Sequence, residues 1–530
     1  MSRITVLAGG TLVDGTGSAA RHADVWLQGG EIVRIVEGGG GHPEGLDIVD
    51  CTDLAIAPGF IDVHSHADNA GYLATADTSK ILQGVTTEVV GNCGISLAPR
   101  TLPHRVDLDN YAQRLFPVVD WQGESFTEYW AGAERGLVTN AAPLVGQGTL
   151  RIAAMGMENR PPSAAEKAKM RDLLLAAMEA GAFGLSTGLI YPPGSFSETE
   201  EIAELAGHMP DGIYASHLRD EGENVERSVA EAIAIGEAAG CQVQLSHHKA
   251  AGKANWGRTE ATLAMVDAAR ERGVRIHLDV YPYTVASTVL TSCVPPWAEA
   301  GGEAALLQRL EDSGALGRLR RDIEQGLPGW ENEIAATGAD GIRIASTQDH
   351  RFEGSTLAEI AATIGGDGID ALFHVLREER LRASILLFSM TEGDVQRVLR
   401  HPLAMIGSDG LPPGLGGRPH PRLYGTFPRV LSRYVREIPV LTLEAAVHKM
   451  TGLPAAAFRL ARRGVVAEGN MADLVVFRPG SVRDGATFED PVQAPLGIER
   501  VYLGGRAVVV EGRYVGNRQG ERLRPTGGLR

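Results

Sequence analysis

The stretch that decides the fold is GFIDVHSHAD, residues 59–68. It opens as an apolar strand and ends in two histidines spaced i, i+2. Alternate side chains of a strand share a face, so His64 and His66 project together while Ser65 points the other way. Two imidazoles on one face suggest a bound metal.

Seven further runs downstream have the same apolar character: TTEVVGNCG, APLVGQG, AFGLSTGL, GIYASHL, VQLSHHK, RIHLDVYPY and AMIGSDG. Amphipathic helical segments separate them, the pattern of a parallel α/β fold. Eight such strands fit a (β/α)8 TIM-type barrel. Capping boxes are expected at helix starts, at Ser163 with Glu166, Ser197 with Glu200 and Thr356 with Glu359.

Residues 1–57 read instead as short strands broken by glycine turns, and similar punctuation returns over 461–530. The two chain ends are therefore expected to build one small β-sandwich together, with a loose tail after about residue 517. The catalytic barrel takes 58–287 for its first seven strands and 401–460 for its end. The interval 288–400 is too long for an ordinary crossover and predicts an inserted subdomain.

At 530 residues the chain has ample material for a core, and its formal charge of −16 argues against a nucleic-acid partner. No apolar run approaches the ~20 residues needed to cross a bilayer, and the N-terminus lacks the features of a secretory signal. The expectation is a cytoplasmic protein acting on a small molecule, away from membranes; the sequence leaves its oligomeric state open. Four widely spaced cysteines, Cys51, Cys93, Cys241 and Cys293, are too few for a disulfide framework. Three read as small buried hydrophobes. Cys93, flanked by glycines in GNCG, reads as exposed on a tight loop and available as a ligand.

In a barrel enzyme the C-terminal strand ends form the active-site face. Here the first strand ends in His64 and His66, the second in Cys93, the fifth in His217, the sixth in His247 or His248, and the eighth in Asp409. Imidazole, thiolate and carboxylate are all zinc ligands, and a soft thiolate favours Zn²⁺ over Mg²⁺ or Ca²⁺. Strand parity does not choose between His247 and His248, but SHHK echoes SHLR at 216–219, which aligns His247 with His217. Asp409, in GSDG, is a helix-cap residue on one reading. Beside a metal it is a general base for a bound water and then a general acid for a departing amine.

Taken together, APGFIDVHSHAD, VVGNCG, STGLIYPPG, ASHLRDEG, SHHKAAG, DVYPYTVAS, PPWAEAGG, IGSDGLP and PHPRLYGTFPRVLSRY resemble the N-acyl-D-amino-acid deacylases (D-aminoacylases) of the amidohydrolase superfamily. Many amidohydrolases bridge two metals with a carboxylated lysine on the fourth strand. This chain has STGL there, a departure shared with the deacylases, in which a cysteine takes over. The resemblance implies a tight zinc on Cys93, His217 and His247, and a second, weaker metal site from His64, His66, Cys93 and Asp409. It places substrate binding on Tyr191, Tyr281, Ser287 and Arg422, with Tyr283 an alternative to Tyr281; Lys249, in the SHHK run, completes the candidates. An arginine suits the α-carboxylate because its planar fork offers two donors. The loop from Asp409 to Arg422 is longer and richer in glycine than the family pattern. Rival readings are a cyclic-amide hydrolase of the hydantoinase or dihydroorotase type, and a non-catalytic scaffold on the same fold.

Overall fold

A computed structural model describes residues 4–38, 40–116, 121–412 and 416–526. Eight parallel strands follow one another around a closed barrel. They are Phe60–Asp62, Val85–Val90, a third in two pieces (Asn140–Pro143 and Val145–Gly146), Gly184–Gly188, Ile213–His217, Gln242–Leu245, Ile276–Val280 and Ala404–Ile406. Each pairs in parallel with the next. The eighth returns to the first through a parallel bridge between Ser65 and Gly410, where Asp409 N donates to His64 O at 2.7 Å and His66 N to Gly410 O at 3.1 Å. The seam that closes the barrel thus runs through the HxH segment itself.

Helices cover the barrel because one face of each is apolar, and local chemistry fixes where they begin. Ser163 and Glu166 form a reciprocal capping box on Ala164–Glu179, as do Thr356 and Glu359 on Leu357–Ile364; each cap is worth about 1 kcal/mol. Ser197 caps nothing. Its hydroxyl is drawn into a buried network, donating to Glu201 Oε1 at 3.0 Å and accepting from Gln147 at 2.8 Å, and helix Thr199–Ala206 starts after Glu198 without a side-chain cap.

Strands from both chain ends join in one continuous nine-stranded sheet, the small β domain expected of the two termini. The junction is Ala55–Pro58 lying antiparallel to Leu474–Phe477. One face carries its own cluster, including Leu7, Val25, Ile56, Leu474 and Val476; the other, with Ala57, Val475 and Phe477, merges into the barrel core. The tail is docked rather than loose as far as residue 523. Ala141 N donates to Glu521 O and Leu523 N to Ala141 O, so this segment runs along the third barrel strand. Unpaired backbone on that strand is what it satisfies.

Between the seventh and eighth strands lies the insertion. Ala286–Val289, Ser384–Leu387 and Ile342–Ser346 form an antiparallel sheet backed by helices, with a separate core that includes Leu306, Leu310, Ile344, Leu372 and Ile385. Helix Glu392–Arg400 belongs to the barrel instead, since Val395, Val398 and Leu399 pack into the main core. No helix among the described residues is long and apolar enough to cross a membrane.

Candidate metal centre

The polar strand ends converge. His64, Cys93, His247 and Asp409 each offer a ligand atom, and these atoms lie within 4.8 Å of one another; His217, Glu221 and His247 form an overlapping group. Cys93 Sγ is 3.3 Å from His64 Nε2 and 3.5 Å from His247 Nε2. His66 Nε2 and His64 Nε2 approach Asp409 Oδ1 at 3.2 and 3.5 Å. All of these residues are buried.

The backbone is bent to bring them there. Cys93, His247 and Asp409 all adopt positive φ (53°, 34° and 50°), a conformation that non-glycine residues accept only where surrounding structure imposes it. The GNCG loop folds over the end of the fourth strand. A Cβ on Gly188 of STGL would come within 2.1 Å of Cys93 O, and one on Gly94 within 2.6 Å of Gly188 N. The cysteine loop thus packs directly on the glycine that ends the fourth strand.

Electrostatics follow from this crowding. Burial alone would raise the Cys93 thiol, but the charge of His64 and the adjacent imidazoles of His217 and His247 drive it well below the usual thiol range. Burial likewise opposes ionisation of Asp409, and Arg422 overcomes it, helped by His247 and His64, so the carboxylate lies well below its ordinary value. Despite burial, His66 is raised to about 9 by Asp409 and Cys93. The other three cysteines behave oppositely: burial pushes Cys51 to about 12 and Cys241 to about 11, and raises Cys293 as well.

His248 turns away from the cluster. Its Nε2 bonds Thr262 Oγ1 at 2.7 Å, and burial holds its pKa down at about 4, a neutral structural histidine. Lys249 Nζ lies 2.5 Å from Glu221 Oε2 and 2.8 Å from His247 Nδ1. Arg422 is 1% exposed; its Nη2 donates to Asp409 Oδ2 at 2.8 Å and Ser287 O at 3.1 Å, while Nε and Nη1 have no partner. Its guanidinium stacks 4.7 Å from the Tyr281 ring, whose hydroxyl is also unpartnered. Tyr281 lines the cavity beside the cluster, whereas Tyr283 packs against His420 with ring centroids 5.0 Å apart. Tyr191 lies edge-on to His217 at 5.0 Å and its hydroxyl bonds Thr288 Oγ1 at 2.7 Å. Ser287 and Thr288 are on the insertion's edge strand, so the insertion forms one wall. The cavity is bounded by Tyr191, Lys249, Tyr281, Ser287 and Leu411, among others. Residues 413–415 of the glycine-rich loop lie outside the described residues.

Two carboxylates escaped the sequence reading. Glu221 Oε1 is 3.1 Å from His247 Nδ1, and its other oxygen is 3.4 Å from His217 Nε2. Asp279 Oδ1 accepts from His247 N at 2.8 Å and lies 3.3 Å from His64 Nδ1. Such partners hold an imidazole in the tautomer that leaves its other nitrogen free to coordinate. The available signals were weak: Glu221 is four residues after His217 in ASHLRDEG, and Asp279 is the acidic residue near the end of the seventh strand.

The donor set fits zinc. A thiolate, imidazoles and a carboxylate face one buried point, and His217 Nδ1 has no hydrogen-bond partner within the protein. Buried polar atoms without partners are rare unless something else satisfies them.

The comparisons with known proteins agree. A D-aminoacylase of Alcaligenes xylosoxydans xylosoxydans is 39% identical, covering 98% of this chain and 97% of its own length. An N-acyl-D-glutamate deacylase of the same organism is 40% identical, covering 95% and 93%. The crystal structure of N-acyl-D-glutamate deacylase from Bordetella bronchiseptica, complexed with zinc and a phosphonate inhibitor, superimposes with a TM-score of 0.83 at 39% identity, over 99% of this chain and all of that one. A Thermus D-hydantoinase matches at 13% identity and a TM-score of 0.55, a likeness of fold alone. With the Amidohydrolase family pattern matching residues 47–509, this chain belongs to the amidohydrolase family.

Proposed function

We propose that this enzyme hydrolyses N-acyl-D-amino acids to a carboxylate and a free D-amino acid at a zinc centre. The observation that carries the reading is the buried thiolate, imidazole and carboxylate set opening on one cavity; the relatives named for this reaction support it over a cyclic-amide hydrolase. Cys93, His217 and His247 would hold the tight ion, and His64, His66, Cys93 and Asp409 a second, weaker one.

Zinc, when bound, polarises the amide carbonyl and acidifies water. The chain's own residues supply the rest. Asp409, ionised beside Arg422, accepts the proton of the attacking water and returns it to the departing nitrogen. Arg422 keeps two unused donors, and with Lys249, Tyr281 and Ser287 it offers a cationic, hydrogen-bonding face for the α-carboxylate. Tyr191, whose hydroxyl bonds Thr288, would donate to the carbonyl oxygen. Acidic charge and free, buried cysteines suit a cytoplasmic enzyme without nucleic-acid partners.

The test is zinc-supplemented hydrolysis of matched N-acetyl-D- and N-acetyl-L-amino acids, read as release of free amine. D-selective turnover is expected. Zinc-containing protein inactive on both series would reject the deacylase reading.

A further inference from the structure

Relatives of almost equal identity carry different substrate names, so likeness does not choose the substrate's side chain. The cavity wall does. Lys249 and Arg422 each have a carboxylate at bonding distance and belong to the site already described. A third pair, Arg114 and Glu299, takes no part in it.

Arg114 follows the short helix Arg105–Ala112 in the loop after the second barrel strand, and Glu299 ends the insertion's turn Pro296–Glu299. Both line the cavity, and both are more than nine-tenths buried, at 7% and 3% exposure. Arg114 Nη1 donates to a Glu299 carboxylate oxygen and lies 3.4 Å from Thr291 Oγ1. The same cavity carries apolar side chains, Ile95, Leu115, Val289 and Leu387, and a further carboxylate, Glu333. A buried ion pair is a poor way to gain stability, because desolvation offsets the attraction; an apolar contact would seal this seam as well. Its effect on a ligand is specific. Glu299 already neutralises the guanidinium through Nη1, although Nε is left without a partner, so a second carboxylate arriving there meets a like charge. An apolar or neutral group meets no such penalty.

We infer that the Arg114–Glu299 pair is a charge filter, restricting this chain to N-acyl-D-amino acids whose substituent against that wall is uncharged. The inference rests on the deacylase reading above. Its test compares kcat/KM of the zinc enzyme and its E299Q variant on N-acetyl-D-leucine, N-acetyl-D-glutamate and N-glutaryl-D-leucine, with melting temperatures recorded. Wild type is expected to prefer N-acetyl-D-leucine by ~100-fold over at least one of the dicarboxylates. In E299Q the unmasked guanidinium is expected to raise kcat/KM for that dicarboxylate by ~10-fold or more, with N-acetyl-D-leucine within ~3-fold. Whether the side-chain or the acyl carboxylate gains identifies which arm of the substrate faces Arg114. Equal wild-type turnover of all three overturns the filter, and needs no variant to fold. A folded E299Q with no gain on either dicarboxylate also overturns it. Absence of turnover on all three overturns the deacylase reading and the filter with it.

Discussion

Two buried polar clusters lie back to back at the seam of the barrel, built from interleaved residues, and they differ in one respect. The first holds Lys80, whose ammonium donates to Asp62 Oδ2 at 2.7 Å, Ser408 Oγ at 2.8 Å and Ser65 Oγ at 3.2 Å, with Glu88 Oε2 at 3.3 Å. Ser65 and Thr139 in turn each donate to Glu88 at 2.6 Å. None of these side chains has a buried polar atom without a partner. The second takes the intervening residues, His64, His66 and Asp409, together with Cys93, His217 and His247, and it leaves His66 Nδ1 and His217 Nδ1 without a hydrogen-bond partner. A polar cluster that satisfies itself rigidifies a fold; one whose donors face a common point with valences unused is built for a ligand.

That contrast is broken most severely at Cys93. Replacing it with alanine removes the only thiolate of the open cluster, and bound zinc, measured by metal analysis after dialysis, is expected to fall with activity by more than ~100-fold, beyond the loss expected from an outer partner. Full zinc occupancy in that variant would exclude Cys93 as a ligand. The closed cluster is expected to respond in the other currency. Lys80→Met strands two buried carboxylates, and urea unfolding is expected to show a loss of about 3–5 kcal/mol while the folded protein keeps its zinc. A Lys80 variant of unchanged stability but lost metal would reverse the two roles.

Glu221 sharpens the comparison, because it touches the open cluster without lining up on its centre. Glu221→Gln is expected to weaken zinc binding about 10-fold to 100-fold through the misdirected His247 ring, with little change in melting temperature. Unaltered zinc affinity would make Glu221 a partner of Lys249 alone.

How legible each cluster is in sequence follows from how its residues are spaced. His64 and His66 are readable because a two-residue period places them on one face, and Cys93 because glycines on both sides of NC mark a backbone turn. Both glycines of GNCG do adopt positive φ. His217 and His247 are readable from the echo of SHLR in SHHK. Lys80 carries no such signal: it follows a surface-like loop, and its partners Asp62, Glu88 and Ser408 are 18, 8 and 328 residues away. Ser197 shows the opposite failure, since its capping pattern is present but a buried network with Gln147, Arg151 and Glu201 claims the hydroxyl.

By itself, then, the sequence determined the alternation of strands and helices, the end-to-end pairing of the glycine-punctuated termini and the chemistry at the strand ends, because these depend on local periodicity and residue type. Only the tertiary structure decided that the Cys93 loop packs on the fourth-strand glycine, that His248 faces Thr262, that Tyr281 rather than Tyr283 faces the cavity, and that Arg114 meets a carboxylate 185 positions away. Those outcomes are set by which surfaces pack together once the barrel closes, and no local pattern records a contact between residues so distant along the chain.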